Sequence, residues 1–304
     1  MPLSSIDDIY SAAYAPDHKP YFTVHDGTFH ADDVAAVALA SRLFGGSDKV
    51  NIIRTRDPKR FKGLLMDVGE GPLDHHGSAY SMGVNGVPES SLSKLYNIIK
   101  NKITPNEAAQ VYFRQNVVDP VSKLDNGIAL RRGENSLFTW VPGFNRNYSE
   151  KRTLTNQDER FKQAVRIAEQ ILDREIQNAA SDSKTIGLKN AILQKAMNNA
   201  VVEVPAGLDM SKELAGTNAK FILTRYSDGT YRLKCVPKSK RNLYSKKVPF
   251  PDNWSGLSNK DLQSASGIPD ALFCHSNGFL AGFKSRGSAM NAAHQILKNK
   301  ELNK

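Results

Sequence analysis

Cysteine and long apolar runs are both scarce in this chain, and each scarcity excludes a class of protein. Two cysteines, Cys235 and Cys274, occur among 304 residues, too few for a disulfide framework. Both stand in apolar, strand-like runs, so we expect buried free thiols in a reducing, cytoplasmic setting. No apolar run approaches the ~18 residues that a membrane span requires, and residues 1–20 lack the pattern of a secretory signal. We therefore expect no membrane partner.

Acidic residues are scarce in the second half of the chain. Residues 1–150 contain 16 Lys/Arg and 17 Asp/Glu, whereas residues 151–304 contain 25 Lys/Arg and 14 Asp/Glu. The formal excess of +10 therefore belongs entirely to the second half. Such asymmetry predicts one half that collects metal cations and another that attracts a polyanion. A basic surface that only promotes solubility is the alternative.

The first half has the pattern of an α/β domain. Short apolar runs predict strands at 21–24, 50–53 and 63–68, and the alanine-rich run 33–44 predicts a helix that two glycines end. Alternating strands and helices of these lengths predict a parallel sheet with right-handed crossovers. In such sheets, ligands bind beyond the carboxyl ends of the strands.

The remainder of the chain changes period and predicts an α+β domain. Helical spacing extends over 92–118, and an irregular stretch at 133–155 predicts a linker. Beyond the linker, the pattern predicts helices, two hairpins and a closing helix: 156–180, 183–199, 219–224 with 230–236, 271–275 with 279–283, and 285–299. We therefore predict two domains, 1–145 and 146–304.

Metal-compatible side chains fall in four short segments of the first half. Carboxylates mixed with imidazoles, without a thiolate, suit manganese, ferrous iron, magnesium or zinc in an open catalytic site. Two of these residues, His25 and Asp67, each follow an apolar run, at the carboxyl ends of predicted strands. This pattern predicts a two-metal hydrolase. The segments are His25-Asp-Gly-Thr-Phe-His30-Ala-Asp32-Asp33, Leu64-Leu-Met-Asp67, Asp74-His75-His76 and Leu124-Asp125-Asn-Gly127.

These segments, in this order, resemble the four motifs of the melanocyte-proliferating-gene exonuclease family, within the DHH phosphoesterase superfamily. The chain has alanine at 31 and aspartate at 33, where the family commonly has cysteine and glutamate, and its candidate ligands are intact. The resemblance implies an N-terminal, parallel-sheet DHH-type domain, a smaller α+β domain and an active site in the cleft between them. It continues through Val236-Pro-Lys238, Pro249 to Leu257, Ser266 to Pro269 and His275 to Arg286.

The resemblance also implies a dinuclear metal centre, with manganese expected and magnesium, ferrous iron or zinc as alternatives. One ion would be held by His25, His30 and Asp67, and the other by Asp32, Asp67, His75 and Asp125. Asp74 would orient a ligand histidine and His76 would face the substrate phosphate, so the catalytic set is Asp67, Asp74 and His76. Asp33 is interpreted as a helix-terminus charge, and an exchange of roles with neighbours stays open for Asp26 and Asp33.

Basic residues of the second half supply the predicted substrate contacts. Seven Lys/Arg and no acid lie between Gly229 and Pro251, with Tyr231 and Tyr244 interleaved. A groove that tracks a phosphate backbone and stacks bases has this composition, and so does a hairpin edge guarded by lysines. Lys284 and Arg286 precede the last helix, whose N-terminus favours phosphate binding. The family resemblance covers the hairpin that leads to them and implies the same role. The predicted substrate-binding residues are Lys240, Arg241, Lys246, His275, Gly282, Lys284 and Arg286.

The combined pattern predicts a metal-dependent phosphodiesterase, an exonuclease on single-stranded nucleic acid with RNA favoured over DNA. A hydrolase of a small phosphoanhydride or cyclic dinucleotide would need the same metals without an extended groove. A non-catalytic nucleic-acid-binding protein is a third alternative. Arg54 and Arg56 either face the cleft or pair with Asp57. The native metal, the cleavage direction and the oligomeric state, for which a homodimer is one option, stay open at this level.

Overall fold

The computed structural model describes residues 3–14, 19–77, 80–104, 106–131, 134–135, 137–150 and 153–302. Residue 105 of the predicted helical run and residues 133, 136, 151 and 152 of the predicted linker lie outside the described residues. The chain divides into two compact units, Met1–Lys184 and Thr185–Lys304. Each unit contains its own β-sheet.

The first unit is a mixed α/β structure with a three-stranded sheet. Its elements are α1 (Ile6–Ala13), β1 (Tyr21–Val24), α2 (Ala31–Ser41), β2 (Asn51–Arg54), β3 (Leu64–Leu65), α3 (Ser91–Ile103), α4 (Glu107–Phe113), α5 (Asp119–Asp125) and α6 (Leu154–Asn198), the last of which continues into the second unit. The strand order is β2-β1-β3, and both pairings with β1 are parallel. The predicted parallel sheet is therefore confirmed.

Helix α2 follows the loop that leaves β1, and it is buried along its whole length. Its run of alanines and valines lets α3 and α5 pack closely against it. The helix begins at Ala31, two residues before the predicted start, and its last turn tightens into a 3₁₀ turn at Arg42–Phe44. Gly45 then ends it with a left-handed φ of 89°, as the two glycines predict.

Strand β3 is shorter than predicted because the chain leaves the sheet before Asp67. Gly63 permits the close approach of β3 to β1, since it has a φ of +66° and a Cβ there would lie 1.9 Å from the carbonyl oxygen of Tyr21. The last hydrogen bond to β1 is made by the N–H of Met66, which donates to the carbonyl oxygen of Thr23 at 2.9 Å. Asp67 therefore lies at the carboxyl edge of the sheet, as predicted for a ligand-binding position.

The second unit contains a five-stranded mixed sheet in the order β4-β5-β6-β8-β7. Its elements are β4 (Val201–Glu203), α7 (Ser211–Leu214), β5 (Phe221–Arg225), β6 (Tyr231–Cys235), α8 (Asn259–Ser266), β7 (Ala271–Cys274), β8 (Leu280–Phe283) and α9 (Arg286–Leu302). Both predicted hairpins are confirmed as β5-β6 and β7-β8. Sequence reasoning missed β4, whose three residues pair in parallel with β5, because so short a run has no period to detect.

One continuous helix, α6, replaces the two helices predicted at 156–180 and 183–199. Ser181 and Asp182 weaken helix propensity, but the packing on either side of them is sufficient to keep the helix intact. The unit boundary thus lies within α6, whereas the sequence predicts a division after residue 145. The N-terminal half of α6 packs in the core of the first unit through Phe161, Ala164, Val165, Ala168, Leu172 and Ala179. Near its C-terminal end, Ile192 and Ala196 pack in the second unit.

The helical run predicted at 92–118 is interrupted. Helix α3 ends at Ile103, and Asn106 caps α4 by accepting the N–H of Ala109 on Oδ1 at 2.9 Å. An asparagine side chain competes well with the backbone for such donors, which makes it a strong N-cap. Two shorter helices therefore occupy this part of the chain.

Both thiols are buried, as the sequence predicts. Cys235 and Cys274 are buried and unpaired, and burial raises the pKa of Cys235 to about 12 and that of Cys274 to about 11. Thiols with such high pKa values are poor nucleophiles at neutral pH. Within the described ranges, every helix is too short or too polar to cross a membrane.

Candidate metal centre

Asp67 lies between two histidines at the carboxyl edge of the first sheet. Its side chain is buried, and its two oxygens face different imidazoles: Oδ2 lies 3.3 Å from Nε2 of His25, and Oδ1 lies 3.1 Å from Nε2 of His75. The backbone of Asp67 has a left-handed φ of 56°, which costs free energy in a residue with a side chain. Both carboxylate oxygens of Asp67 therefore face imidazole nitrogens.

His75 meets three carboxylates that come from separate parts of the chain. Its Nε2 atom lies 3.0 Å from Oδ2 of Asp125, 3.1 Å from Oδ1 of Asp67 and 3.5 Å from Oδ2 of Asp32. Asp32 belongs to the first turn of α2, and Asp125 is the last residue of α5. Burial, followed by the charges of Asp67 and Asp125, raises the pKa of Asp32 well above its usual range. The fold thus brings together the four residues expected around one ion.

His25 and His30 lie on the loop between β1 and α2. Nδ1 of His25 lies 2.8 Å from the carbonyl oxygen of Asp26, so a proton on Nδ1 leaves Nε2 available to a cation. The ring of His30 is half-exposed, with Nδ1 3.6 Å from Oδ1 of Asp125. His25, His30 and Asp67 each offer a ligand atom within 4.8 Å of the others. These are the three residues expected around the other ion.

The donor atoms of this cluster fit divalent cations. Buried polar groups are normally hydrogen-bonded, yet six buried atoms here have no partner with hydrogen-bond geometry in the described part of the chain. Lone pairs directed at a shared cation satisfy such atoms, and oxygen with nitrogen donors suits a divalent ion. The six atoms are Nε2 of His25, Oδ1 of Asp32, Oδ2 of Asp33, Oδ1 and Oδ2 of Asp67, and Nε2 of His75.

Burial and neighbouring charges act in opposite directions on the pKa values of the two buried histidines. Burial alone lowers the pKa of His25, but the carboxylates of Asp33 and Asp67 outweigh it and raise the pKa to about 10. Burial also lowers the pKa of His75, and Asp125 and Asp67 outweigh it and raise the pKa to about 9. At neutral pH both imidazoles therefore hold protons that a cation must displace.

Asp74 contacts the second histidine of the Asp74-His75-His76 motif. Its Oδ1 accepts the backbone N–H of His76 at 3.0 Å and lies 2.9 Å from Nδ1 of the same ring. Its Oδ2 accepts the N–H of Glu70 at 2.8 Å, and Nζ of Lys94 donates to its carbonyl oxygen at 2.9 Å. Asp74 thus contacts His76, whose ring is 58% exposed, whereas His75 is buried among the acids.

Asp33 does more than place a charge at the helix terminus. Its Oδ1 accepts the backbone N–H of His30 at 3.0 Å, which caps α2. Its Oδ2 lies 3.0 Å from Nε2 of His25, and the side chain is fully buried. An acid three residues after a cap position signals capping in the sequence. No local pattern signals the contact with His25, so sequence reasoning missed it.

The two arginines at the end of β2 support the loop that carries His25. Nη2 of Arg56 lies 3.2 Å from Nδ1 of His25, and its Nε lies 3.4 Å from Oδ1 of Asp26. Arg54 is buried behind the same loop. Asp57, the alternative partner considered for both arginines, caps the following 3₁₀ turn.

In the second unit, the structure separates the basic run between Gly229 and Pro251 into two groups. Arg232, Lys234, Lys246 and Lys247 make hydrogen bonds within the unit. Lys238, Lys240 and Arg241 are exposed in the turn after β6, and Tyr244 in that turn is 93% exposed. Of the predicted contacts, Lys240 and Arg241 therefore lie on the surface, while Nζ of Lys246 donates to the carbonyl oxygen of Asn277 at 2.5 Å.

His275 and Gly282 have structural partners in the β7-β8 hairpin. Nδ1 of His275 accepts the N–H of Asn277 at 3.1 Å, within the hairpin turn. Gly282 is buried in β8, where a Cβ would lie 2.6 Å from Cε1 of Phe273. Packing against Phe273 thus explains why glycine stands at 282.

Lys284 and Arg286 are both exposed near the start of α9. Nε of Arg286 donates to Oε1 of Glu203 at 2.7 Å. This ion pair offsets part of the positive charge that a phosphate would meet at this corner.

The comparisons with known proteins agree with the motif order. The profile of the MYG1 exonuclease family, described as "Uncharacterised protein family (UPF0160)", matches residues 22–297. The chain is 27% identical to the MYG1 exonuclease of Bos taurus over 330 residues, covering 91% of this chain and 84% of the bovine protein. It is 27% identical to the MYG1 exonuclease of Homo sapiens over 328 residues, covering 91% and 86%. It is 30% identical to the MYG1 protein of Chlamydia muridarum over 287 residues, covering 90% and 95%. The matched region includes the candidate metal ligands and the basic turn of the second unit, and the chain therefore belongs to the MYG1 exonuclease family.

Proposed function

We propose that this chain is a metal-dependent exonuclease that hydrolyses phosphodiester bonds in single-stranded nucleic acid, with RNA favoured over DNA. The observation that carries the proposal is the convergence of three histidines and three aspartates around one buried point of the first unit. Relatives named as exonucleases support this choice, and the motif order favours the DHH phosphoesterase superfamily as the wider group. The converging residues are His25, His30, Asp32, Asp67, His75 and Asp125.

The proposed centre would hold two divalent cations, with Asp67 as a ligand of both and manganese as the expected metal. Ions in two-metal sites lie roughly 3.5–4 Å apart, and a carboxylate whose two oxygens face different ligand sets suits that spacing. When bound, such ions supply Lewis-acid stabilisation of the phosphoryl charge and lower the pKa of water. The four carboxylates at the centre, from Asp32, Asp33, Asp67 and Asp125, outnumber its two buried histidines, which favours cations of double charge.

His76 is the proposed contact to the scissile phosphate. Nδ1 of the ring lies within hydrogen-bond distance of Asp74, and in the doubly protonated imidazolium Nε2 would donate a hydrogen bond to a phosphate oxygen. The ring is 58% exposed, so an incoming substrate can reach it. A donor held in place before the substrate binds stabilises developing negative charge without reorganisation.

The second unit is proposed to bind the strand through its exposed cations. The second unit, residues 185–304, contains 18 Lys/Arg and 8 Asp/Glu, and this formal net charge of +10 favours a polymer over a small anion. Lys240, Arg241 and Tyr244 present charge and an aromatic face in one turn, a combination that contacts both backbone and bases.

An end-labelled single-stranded RNA and the matching DNA, incubated with Mn²⁺, Mg²⁺, Zn²⁺ or EDTA, test the proposal. Asp67→Asn is the decisive variant, because asparagine tolerates a left-handed φ and the substitution removes the charge alone. Asp48→Asn, at an exposed acid, is the matched control. We expect a metal-dependent ladder that is lost in Asp67→Asn and retained in Asp48→Asn.

Two other outcomes would replace the proposal. Phosphate release from pyrophosphate or opening of a cyclic dinucleotide, without cleavage of the strand, would favour a small-substrate hydrolase. Metal-independent strand binding without any turnover would favour a non-catalytic nucleic-acid-binding protein. The position of the label in the products would give the direction of cleavage.

A further inference from the structure

Asn145 forms two hydrogen bonds to the loop that carries His25 and His30, although it lies far from that loop in the sequence. Its Oδ1 accepts the backbone N–H of Phe29 at 2.9 Å, and its Nδ2 donates to the carbonyl oxygen of Phe29 at 2.8 Å. One amide side chain thus satisfies both main-chain polar groups of the residue directly before His30. These hydrogen bonds span 116 positions of the chain.

The first turns of α6 also form hydrogen bonds to Asn145 and to this loop. Nε2 of Gln157 donates to Oδ1 of Asn145 at 2.6 Å and to the carbonyl oxygen of Gly27 at 3.2 Å. The same carbonyl oxygen accepts Nη2 of Arg54 at 2.8 Å, and Nη1 of Arg54 lies 3.3 Å from Oδ1 of Asp158. Two alternate residues of the loop, 27 and 29, are therefore held by hydrogen bonds.

Apolar packing holds the same loop on its buried side. The ring of Phe29 is fully buried and lies edge-on to Phe161 of α6, with ring centroids 5.4 Å apart. The guanidinium of Arg54 lies over both rings, at 5.4 Å from Phe29 and 4.9 Å from Phe161. Phe29 is thus fixed through its side chain and through both polar groups of its backbone.

We infer that Asn145 is a positioning residue of the metal centre, which sets the place of His30 through the peptide that precedes it. The inference rests on the proposed dinuclear centre. The ring of His30 is 51% exposed, so packing around the ring leaves much of it uncovered, and its place depends on the backbone. The two hydrogen bonds to Phe29 need a donor and an acceptor on one short side chain, a combination that asparagine has and an ionised aspartate lacks.

The test compares Asn145→Asp with Asn147→Asp, a nearby change of the same kind. Asn145→Asp removes the donor to Phe29 and places a carboxylate oxygen against the carbonyl oxygen of that residue. Asn147 uses its side chain as an acceptor from Ser149, so aspartate at 147 retains those hydrogen bonds. Both variants add one negative charge, which by itself favours cation binding, so weaker binding in Asn145→Asp reports geometry.

The readout is Mn²⁺ binding to the full-length chain, followed by electron paramagnetic resonance without nucleic acid. We expect two ions in the unaltered chain. Asn145→Asp should weaken one binding step by roughly 10–100-fold, the range found when groups that support metal ligands are removed. The other step and the melting temperature in EDTA should change little. Asn147→Asp should match the unaltered chain in all three respects.

Equal affinities in Asn145→Asp and the unaltered chain would overturn the inference. Equal weakening of both steps together with a lower melting temperature would also overturn it, because the role of Asn145 would then be general stability. If the unaltered chain binds no Mn²⁺, the proposed function fails, and the inference fails with it.

Two further measurements keep the inference falsifiable if Asn145→Asp does not fold. Gln157→Leu, at a half-buried position of α6, removes donors to Gly27 and Asn145 and should weaken the same step to a smaller extent. Hydrogen exchange in EDTA gives a metal-independent readout, since the N–H of Phe29 donates to Asn145. Protection at Phe29 should fall in Gln157→Leu, and unchanged protection with unchanged Mn²⁺ binding would overturn the inference.

Discussion

Asp33 and His25 form a buried pair in which Oδ2 of the acid lies 3.0 Å from Nε2 of the imidazole. The other oxygen of Asp33 accepts the backbone N–H of His30. One side chain therefore begins α2 and contacts the candidate metal centre, so the stability of the helix start and the geometry of the centre depend on the same carboxylate.

Removing this carboxylate should destabilise the protein without metal. Asp33→Ala leaves the part-buried N–H of His30 without its acceptor, and losing a hydrogen bond to a charged group costs about 1.5–3 kcal/mol. We expect the free energy of unfolding to fall by that amount in urea titrations with EDTA at pH 7. Asp48→Ala removes an exposed acid and should stay within about 0.5 kcal/mol. A similar small change in Asp33→Ala would contradict the buried geometry.

Metal affinity should increase with pH. The pKa of His25 is raised to about 10 and that of His75 to about 9, so both imidazoles are protonated below those values and protons compete with the cation. Between pH 6 and 8, each displaced proton should strengthen Mn²⁺ binding by about tenfold per pH unit. Calorimetry in buffers of different ionisation enthalpy should detect about two protons released per fully loaded chain. Binding without proton release would show that the two histidines are not displaced by metal.

Charge reversal in the turn after β6 should weaken substrate binding and spare the chemistry. The double variant Lys240→Glu/Arg241→Glu should raise KM for single-stranded RNA with little change in kcat, because both side chains are exposed and belong to the second unit. The slope of log affinity against log salt should fall by roughly 0.7 for each phosphate that the variant no longer neutralises. Lys260→Glu/Lys298→Glu reverses two exposed lysines of the same unit and is the control. Equal effects in both double variants would indicate a general charge effect.

Tyr244 should contribute to binding by stacking, since its ring is 93% exposed and burial does not explain its presence. Tyr244→Ala should weaken binding of a single strand by about 1–3 kcal/mol, the range for base–aromatic stacking. Fluorescence anisotropy with a labelled oligonucleotide in EDTA measures this without cleavage. Tyr148→Ala, at a fully exposed tyrosine of the first unit, is the control and should bind like the unaltered chain. Unchanged binding in Tyr244→Ala would show that the ring of Tyr244 does not stack on a base.

Gly282 should prove to be a packing residue of the second sheet. Gly282→Ala places a Cβ 2.6 Å from the ring of Phe273, and overpacking of this kind costs about 1–3 kcal/mol. The melting temperature should fall while Mn²⁺ binding is retained. Gly287→Ala adds a methyl group in α9 where the nearest atom is 4.0 Å away, and it should not lower the melting temperature. Weaker RNA binding in Gly282→Ala at unchanged stability would instead support a direct interaction with the substrate.

Local pattern was sufficient to predict the first sheet, the two hairpins of the second unit and the buried thiols. The parallel sheet of β1, β2 and β3, the hairpins β5-β6 and β7-β8, and the buried thiols all follow from the period of apolar residues and from turn chemistry. The order of acids and histidines also sufficed to nominate the residues that the fold brings together. These features depend on residues near one another in the sequence, which is why the sequence by itself determined them.

Only the tertiary structure decided the relationships between distant segments. The continuity of α6 depends on packing at both its ends, which overrides the weak propensity at Ser181 and Asp182. The pairing of Asp33 with His25 and the hydrogen bonds from Asn145 to Phe29 require a helix start and a remote loop to meet in space. These polar side chains would ordinarily form hydrogen bonds with water. Because burial removes them from water, they must find partners within the protein. The spacing of residues along the sequence does not show which distant side chain becomes the partner in the folded protein.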